Sequence, residues 1–401
     1  RVLRGMTAGP PYRDQGWLED RIGRLLEFYY PQCLDEANGG YVAQFDEETG
    51  EIYDRDPKHL VATCRFVANF SVAAARSGDE RYAAAADRGV DFLLEHHRDH
   101  ERGGFHWLLD GTVPVDSTRV CYGHAFVLLA LARAADAGVG PAADGIEAVA
   151  RLLDDRFRDP DHGLYRSEYT ADWSTAADYR GQNANMHLCE AMLAAHGATG
   201  RDRYLRRALE VAESVTVDLT AATDGLVWEH YTPGWEHDFE YNRDDPKHTF
   251  RPWGYQPGHQ IEWAKLLGTL ARHADAEWIL PRAAELFDAA ITHGWDDERG
   301  GLYYSIDLDR DPLVTEKYAW EVAEAIGAAA VLSQQTGRDR YLEWYDRFWA
   351  YADRQLVNPD AHNWYTKVSE TNDPIPRTEG VAVEPGYHPV GACFESIRSL
   401  C

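Results

Sequence analysis

The chain has 401 residues, and 44% of them are hydrophobic, so it can bury a large core. Asp and Glu number 67 against 40 Lys and Arg, and the formal net charge of −27 repels phosphate backbones and anionic lipid surfaces. This balance argues against nucleic-acid and membrane partners.

The cysteines and the first residues bear on where the protein works. The six cysteines are scattered without a Cys-x-x-Cys pair, which is typical of buried free thiols in a reducing compartment. Residues 1–15 contain no apolar signal-peptide core, and no apolar stretch approaches the roughly 20 residues that cross a bilayer. We therefore predict a cytoplasmic protein, whose oligomeric state the sequence leaves open.

A short glycine- and aromatic-rich element recurs along the chain. Its copies are about 60 to 75 residues apart, a period long enough for a pair of helices and a short hairpin. Most copies follow an acidic turn and place apolar side chains in a short strand-like run. The copies are Gly39-Gly40-Tyr41-Val42, Gly103-Gly104-Phe105-His106-Trp107, Gly163-Leu164-Tyr165, Gly225-Leu226-Val227-Trp228, Gly300-Gly301-Leu302-Tyr303-Tyr304 and a degenerate sixth, His362-Asn363-Trp364-Tyr365.

The segments between these copies carry apolar residues at three-to-four spacing, which indicates helices. The predicted helices that are rich in Ala span residues 62–76, 122–135, 186–198, 261–274 and 322–333. Each is followed by a second predicted helix, over residues 79–96, 143–157, 202–217, 275–293 and 338–356. About twelve helices in six pairs predict an all-α (α/α)6 barrel with short β-hairpins in its loops. We expect one domain over residues 1–401.

The longest departure from the period lies between the fourth and fifth copies, at residues 237–258. This segment is rich in Pro, Gly and aromatic residues. Long ordered loops on a rigid scaffold tend to carry function, so we expect a functional role for it.

Histidines at the starts of three predicted inner helices are the candidate acid/base groups. His187-x-x-Glu190 and His259-x-x-Glu262 each place two side chains on one helical face, and His388 begins the last inner helix. These helix ends converge on one mouth of a helical barrel, and a helix N-terminus favours the neutral imidazole that a base requires. Structural packing accounts for many of the 17 histidines, and for His259 alone the two interpretations weigh about equally.

Three kinds of chemistry remain open for these residues. A metal site is disfavoured because no His-Glu-x-x-His motif or cysteine pair occurs, and because the His-x-x-Glu order reverses that of di-iron bundles. Carboxylates for glycoside cleavage are present in Glu262, Glu324 and Asp116. Histidines converging with Arg65, with His124 as a further candidate, suit proton transfer beside a carbonyl, for which no metal or cofactor is expected.

Several sequence elements resemble the N-acylglucosamine 2-epimerase superfamily. Residues 179–187, Tyr-Arg-Gly-Gln-Asn-Ala-Asn-Met-His, resemble its Asn-x-x-Met-His element. Residues 257–263, Pro-Gly-His-Gln-Ile-Glu-Trp, are similar to its Pro-Gly-His-x-x-Glu-Trp element, and Phe250-Arg251 precede them. Residues 320–325 and the pair Tyr387-His388 follow in order, so the resemblance covers nearly the whole chain. The first run and residues 319–324 are most similar to the branch of mannose and sulfoquinovose isomerases.

The resemblance implies an (α/α)6 barrel without a metal, in which His259 and His388 are the acid/base residues. It implies aldose–ketose isomerisation of D-mannose and D-fructose, with D-lyxose and D-xylulose as a further pair. One histidine is expected to open the sugar ring and the other, which we take as His388, to move the proton between C1 and C2. The implied sugar contacts are Arg65, Tyr122, Asn183, His187, Phe250, Glu262, Trp320 and Glu324.

Two alternatives stay open. A 2-epimerase acting on free mono- or disaccharides needs acid/base groups on both faces of C2, and the same two histidines could serve it. A non-catalytic sugar-binding barrel is disfavoured because the set of His, Glu and Arg residues looks complete. Glu384, shortly before His388, departs from the sulfosugar branch, and its charge near the pocket favours an uncharged sugar over a sulfonate.

Overall fold

The computed structural model describes residues 11–401, and this part of the chain contains twelve α-helices. Residues 1–10, which belong to the segment searched for a signal peptide and to the predicted single domain, lie outside the described residues. The helices are α1 Gln15–Tyr29, α2 Leu60–Ser77, α3 Glu80–Phe92, α4 Cys121–Asp136, α5 Ala142–Leu152, α6 Gln182–Thr199, α7 Asp202–Glu213, α8 Pro257–Leu270, α9 Ile279–Gly294, α10 Ala319–Thr336, α11 Asp339–Tyr351 and α12 Tyr387–Leu400.

The even-numbered helices form a closed inner ring. Each packs against its neighbours in the order α2, α4, α6, α8, α10 and α12, and α12 returns to α2. These helices are buried on nearly all sides, whereas the odd-numbered helices each bury one face against an inner partner. The inner helices are rich in Ala, and these small side chains allow the helices to pack closely against one another. The predicted (α/α)6 barrel is confirmed.

The ends of the helices follow local sequence signals. Gly78, Gly200 and Gly337 end α2, α6 and α10 in the left-handed conformation, with φ of 68°, 65° and 64°. Asp79 then accepts a hydrogen bond from the backbone N–H of Arg81 and caps α3. The helix α8 begins at Pro257, four residues before the predicted start at residue 261, because proline is well suited to the first turn of a helix.

Short strands join the helices at the mouth of the barrel. Four of them, β3, β6, β10 and β14, lead directly into inner helices and so fix where those helices begin. The strands are β1 Gln44–Phe45, β2 Ile52–Asp54, β3 Pro57–His59, β4 Leu108–Asp110, β5 Val113–Asp116, β6 Arg119–Val120, β7 Arg158–Asp159, β8 Leu164–Tyr165, β9 Glu168–Tyr169, β10 Arg180–Gly181, β11 His230–Tyr231, β12 Ser305–Ile306, β13 Pro312–Val314, β14 Lys317–Tyr318 and β15 Lys367–Val368.

The recurring glycine-aromatic element corresponds to one structural feature in five of its six copies. After the outer helix, the chain turns back and forms an antiparallel bridge between residues seven positions apart. The bridged pairs are Leu34 with Tyr41, Arg98 with Phe105, Arg158 with Tyr165, Trp295 with Leu302 and Val357 with Trp364. The degenerate sixth copy therefore belongs to the repeat. The fourth copy differs, because a 3₁₀ helix at Leu219–Ala222 stands before it and its strand forms later, at β11.

Two features of the fold concern membrane crossing and the state of the cysteines. None of the helices between residues 11 and 401 is long and apolar enough to span a bilayer. The six cysteines are free, and five of them are buried. The cytoplasmic location stays a prediction.

Candidate active site

A cavity of about 380 Å³ lies at the mouth of the barrel, where the inner helices begin. Nine of the ten predicted site residues line it together: Arg65, Tyr122, Asn183, His187, Phe250, His259, Glu262, Trp320 and His388. They come from all six inner helices and from the loop before α8, so closure of the ring brings together residues that are far apart in the sequence. The tenth, Glu324, lies behind His388 and touches it rather than the cavity.

His388 is held between a carboxylate and a guanidinium. Its Nδ1 lies 2.7 Å from Glu324 Oε1, and its Nε2 lies 3.3 Å from Arg65 Nη2. When the proton is on Nδ1, this N–H donates a hydrogen bond to Glu324, and Nε2 accepts a hydrogen bond from Arg65. The imidazole is thus fixed with its second nitrogen at the cavity.

His259 has a carboxylate partner that the sequence analysis missed. Its Nδ1 lies 2.9 Å from Oε1 of Glu229, a residue that directly follows the fourth repeat element. Gln182 donates to Glu229 Oε2 over 2.9 Å and accepts from Trp263 Nε1 over 2.8 Å, so the carboxylate is itself held in place. The pairing joins residues 30 positions apart, and only the acidic character of Glu229 beside a repeat element pointed to it.

The Trp320 ring lies between the two histidines. Its centroid is 5.0 Å from that of His259 and 5.8 Å from that of His388. Gly258 makes this approach possible, because a Cβ there would stand 2.5 Å from Cη2 of Trp320. The two imidazoles therefore flank one aromatic ring at the wall of a single cavity.

His187 and Glu190 form the pair that their spacing predicts. The His187 Nδ1 atom lies 3.1 Å from Glu190 Oε2. Burial lowers the pKa of His187 to about 4 in spite of this carboxylate, so the ring is neutral at pH 7. The histidine faces the cavity, whereas Glu190 points below it, toward the opposite end of the barrel.

Glu262 does not pair with His259, although the two share a helical face. Both of its carboxyl oxygens are buried without a hydrogen-bond partner, and the side chain is 1% exposed. Burial, together with the nearby charge of Glu324, raises the pKa of Glu262 well above its usual value. The raised pKa favours the protonated form of Glu262, in which the carboxyl group can donate a hydrogen bond into the cavity.

Arg65 brings Glu384 into the cavity wall. Arg65 Nη1 donates to Glu384 Oε2 over 2.8 Å, and Nη2 donates to the Tyr122 hydroxyl over 3.2 Å. Glu384 thus faces the pocket, as the sequence analysis supposed, but Arg65 offsets its charge. The site is close to neutral on this side.

Phe250, on the long loop, divides the mouth into two cavities. Its ring packs against Trp107 and Tyr122, at centroid distances of 5.6 and 5.8 Å. Phe250, Tyr122 and Asn183 also line a neighbouring cavity of about 320 Å³. The buried Oδ1 of Asn183 has no partner, so it is free to accept a hydrogen bond from a ligand hydroxyl.

Two further candidates from the sequence do not join this set. His124 is fully buried, and its ring nitrogens contact the backbone at Val120 O and Phe105 N, at 2.7 and 3.1 Å. It is a structural residue. Asp116 lines the neighbouring cavity and accepts from the Thr118 N–H, so it does not form a carboxylate pair with Glu262 or Glu324.

The acidic side chains also bear on metal binding. Oxygen and nitrogen atoms of Glu262, Glu324 and His388 lie within 4.8 Å of one another. Both oxygens of Glu324 already accept hydrogen bonds, from His388 Nδ1 and from the Lys265 ammonium. The carboxylate thus already has a cation beside it. Independence from a metal stays a prediction.

The sequence matches the N-acylglucosamine 2-epimerase family over residues 39–392. A D-mannose isomerase of Marinomonas mediterranea is 39% identical over 98% of this chain and 99% of its own length. A D-mannose isomerase of Thermobifida fusca is 37% identical over 90% of this chain and 89% of its own. A crystal structure of D-mannose isomerase superposes with a TM-score of 0.93 at 39% identity, covering 97% of this chain and 99% of the other.

The chain belongs to the N-acylglucosamine 2-epimerase family. Its relatives also show that it is an enzyme of the isomerase class, which confirms that prediction and sets aside the non-catalytic sugar-binding barrel.

Proposed function

We propose that this enzyme is an aldose–ketose isomerase that interconverts D-mannose and D-fructose, with His259 and His388 as its acid/base residues. The observation that carries the proposal is the pair of carboxylate-bound imidazoles on either side of Trp320 in one cavity. Full-length relatives named D-mannose isomerase support the substrate. Their identity over nearly the whole chain favours this reaction over 2-epimerisation.

The reaction moves protons within the sugar and leaves its elemental composition unchanged. One histidine assists ring opening by moving the proton of the anomeric hydroxyl. A base then removes the proton from C2 of the open-chain aldose, which forms an enediol, and the proton returns to C1 while the O2 hydroxyl proton passes to O1. We assign the transfer between C1 and C2 to His388, because Arg65 lies beside its Nε2 and can stabilise the developing oxyanion.

The other cavity residues would bind the sugar hydroxyls. Glu262 can donate a hydrogen bond, and the unpaired Asn183 Oδ1 can accept one. Trp320 and Phe250 offer apolar ring faces to the sugar carbons. A cavity of this size and mixed polarity suits one monosaccharide.

The charges at the rim favour an uncharged sugar. Lys247 and Lys367 both line the cavity, but both bind Glu316, at 2.9 and 3.0 Å. Arg377 is likewise paired with Glu47, at 3.3 Å. Each cation that could attract a phosphate or sulfonate is thus already bound to a carboxylate, which weakens that attraction. We extend the proposal to D-lyxose, which lacks the C6 group and therefore needs no contact with the charged residues of this rim.

The test is incubation of the EDTA-treated enzyme with D-mannose, followed by chromatography of the sugars. Fructose without glucose is expected, and it would also show that no removable metal is needed. Glucose as the main product would identify a 2-epimerase, and no conversion would contradict the proposed substrate. A parallel incubation with D-lyxose is expected to give D-xylulose.

A further inference from the structure

A layer of charged side chains separates the sugar cavity from a second cavity at the other end of the barrel. The second cavity has a volume of about 230 Å³ and is lined by Glu190, Lys265 and Tyr387. The sugar cavity, on the other side of the layer, is lined by His187 and His388. The side chain of Lys265 is 14% exposed.

Lys265 connects the carboxylates that hold these two histidines. Its ammonium donates to Glu324 Oε2 and lies 3.9 Å from Glu190 Oε1. The other oxygen of Glu324 binds His388 Nδ1 at 2.7 Å, and the other oxygen of Glu190 lies 3.1 Å from His187 Nδ1. The five side chains therefore form one chain from imidazole to imidazole, with the ammonium at its centre.

The packing of the barrel leaves space for the side chain of Lys265. Gly327, on α10, faces the Lys265 side chain, and a Cβ at that position would stand 3.1 Å from Lys265 Cδ. Tyr387 donates to Glu190 Oε1 over 2.9 Å, which fixes the carboxylate beside the ammonium. The lysine is therefore held within the barrel rather than directed to solvent.

Burial acts to raise the pKa values of Glu190 and Glu324, but the charge of Lys265 together with the hydrogen bonds from His187 and His388 outweighs it, and both pKa values are lowered. Glu262, the third carboxyl group of the layer, has no hydrogen bond to the lysine, and its pKa is raised. Lys265 thus makes the largest contribution to the lowered pKa values of Glu190 and Glu324.

We propose that Lys265 is a positioning residue that keeps Glu190 and Glu324 ionised, and so holds His187 and His388 as tautomers with the proton on Nδ1. Nε2 of each ring is then unprotonated. At His388 it is the atom that would take the sugar proton, so the ammonium acts on the reaction through Glu324 without touching the substrate. This inference rests on the proposed function for its kinetic consequence but not for the tautomers themselves.

Other charged or titratable groups face His388 and are unchanged by substitution of Lys265. They are Arg65 from α2, Tyr122 from α4, His187 from α6, Glu262 from α8, Glu384 from the chain before α12 and Tyr387 at the start of α12. Arg65 is paired with Glu384, so Lys265 is the cation that balances Glu324. Its removal favours a proton on the Glu324–His388 pair.

The kinetic test compares Lys265→Met with Lys265→Arg over a range of pH, using mannose-to-fructose conversion. In Lys265→Met we expect kcat to fall roughly 10²-fold, the usual contribution of a positioned acid/base group, with KM nearly unchanged. The acidic limb of kcat/KM should move up by about one pH unit, because loss of a neighbouring cation raises the pKa of the pair. Lys265→Arg should keep the limb in place and restore most of kcat.

A matched control is Arg272→Met. Arg272 lies just beyond α8 and binds a single carboxylate, Glu395 on α12, at 2.5 Å, but neither residue touches a histidine of the site. This variant should lose stability without any change in the pH profile. The proposal would be overturned if the acidic limb of kcat/KM in Lys265→Met stayed at its wild-type pH, whether or not the Met and Arg variants lost the same amount of kcat. Lys265 would then be a structural residue.

A second measurement does not need the variant to fold or the enzyme to turn over. The ring ¹⁵N chemical shifts of His187 and His388 in the wild-type protein report which nitrogen is protonated, and loss of signals in His187→Asn and His388→Asn assigns them. At pH 7 both rings should carry the proton on Nδ1 alone, whereas a proton on Nε2 of either neutral ring would contradict the proposal. If the wild-type enzyme converts no mannose, the proposed function fails, and these shifts still test the tautomers that the proposed role of Lys265 requires.

Discussion

The two histidine–glutamate pairs are alike in geometry and different in their electrostatic surroundings. His259 binds Glu229, which comes from a loop and is held by the neutral amide of Gln182. His388 binds Glu324, which comes from an inner helix and is held by a buried ammonium. Similar distances therefore go with different charges around the two pairs. The difference offers a physical basis for one histidine to open the ring while the other transfers the carbon-bound proton.

Removal of the imidazole of His388 or of His259 is expected to have the largest effect on kcat. His388→Ala and His259→Ala should each lower kcat by roughly 10²- to 10⁴-fold, because each deletes an acid/base group. With D-fructose as substrate, the exchange of C1 protons with D₂O, followed by NMR, tests both roles. Both variants should lose this exchange, because it requires ring opening as well as proton transfer when it starts from the closed ring. Retention of near-normal turnover by either variant, with intact helical content, would contradict its catalytic role.

Replacement of the two carboxylates tests the electrostatic difference directly. Glu324→Gln leaves the Lys265 ammonium facing His388 without its counter-charge, so kcat should fall roughly 10²-fold. The acidic limb of kcat/KM should also move to lower pH, because the uncompensated cation disfavours the imidazolium. Glu229→Gln places a neutral amide beside neutral Gln182, so its loss should be smaller. Identical pH profiles for the two variants would remove the distinction between the pairs.

The neutral His187 adds a pH dependence to stability. Burial lowers its pKa from 6.5 to about 4 in the folded state, so the unfolded chain takes up the proton first as the pH falls. Its contribution to stability is therefore present above pH 6.5 and is lost toward pH 4, by at most about 1.4 kcal/mol per pH unit. Denaturant unfolding at pH 7 and pH 4.5 should show a smaller difference in His187→Asn than in wild type. The exposed substitution His100→Asn is the control and should match wild type.

The smallest expected effect is at the rim, where the charges are more exposed than at the layer below. Glu316→Gln frees Lys247 and Lys367, both of which line the cavity. Inhibition of mannose turnover by mannose 6-phosphate should then strengthen by up to roughly fivefold, the range of exposed ion pairs. The same variant should bind mannose as wild type does. Unchanged inhibition would show that these lysines do not select against anionic sugars.

Much of the site could be predicted because it is carried by motifs on helices. His187, His259 and His388 lie near the starts of inner helices, and the ring of six helices brings their side chains into one cavity. The pairing of His187 with Glu190 follows from the spacing of three residues on one helix. The same argument failed for His259 and Glu262, since His259 binds a carboxylate from a loop instead. Glu324, which was predicted as a sugar contact, binds His388 and is not on the cavity wall.

The sequence by itself determined the period, the six copies and the alternation of buried and half-buried helices, because these depend on spacing within short stretches of chain. Its motifs also identified the family. The tertiary structure decided which carboxylate serves which histidine, and it placed Lys265 against a glutamate 59 residues away on the next inner helix. Such contacts depend on how far each inner helix is rotated when the ring closes, and that rotation is fixed by packing among all six helices rather than by any local pattern.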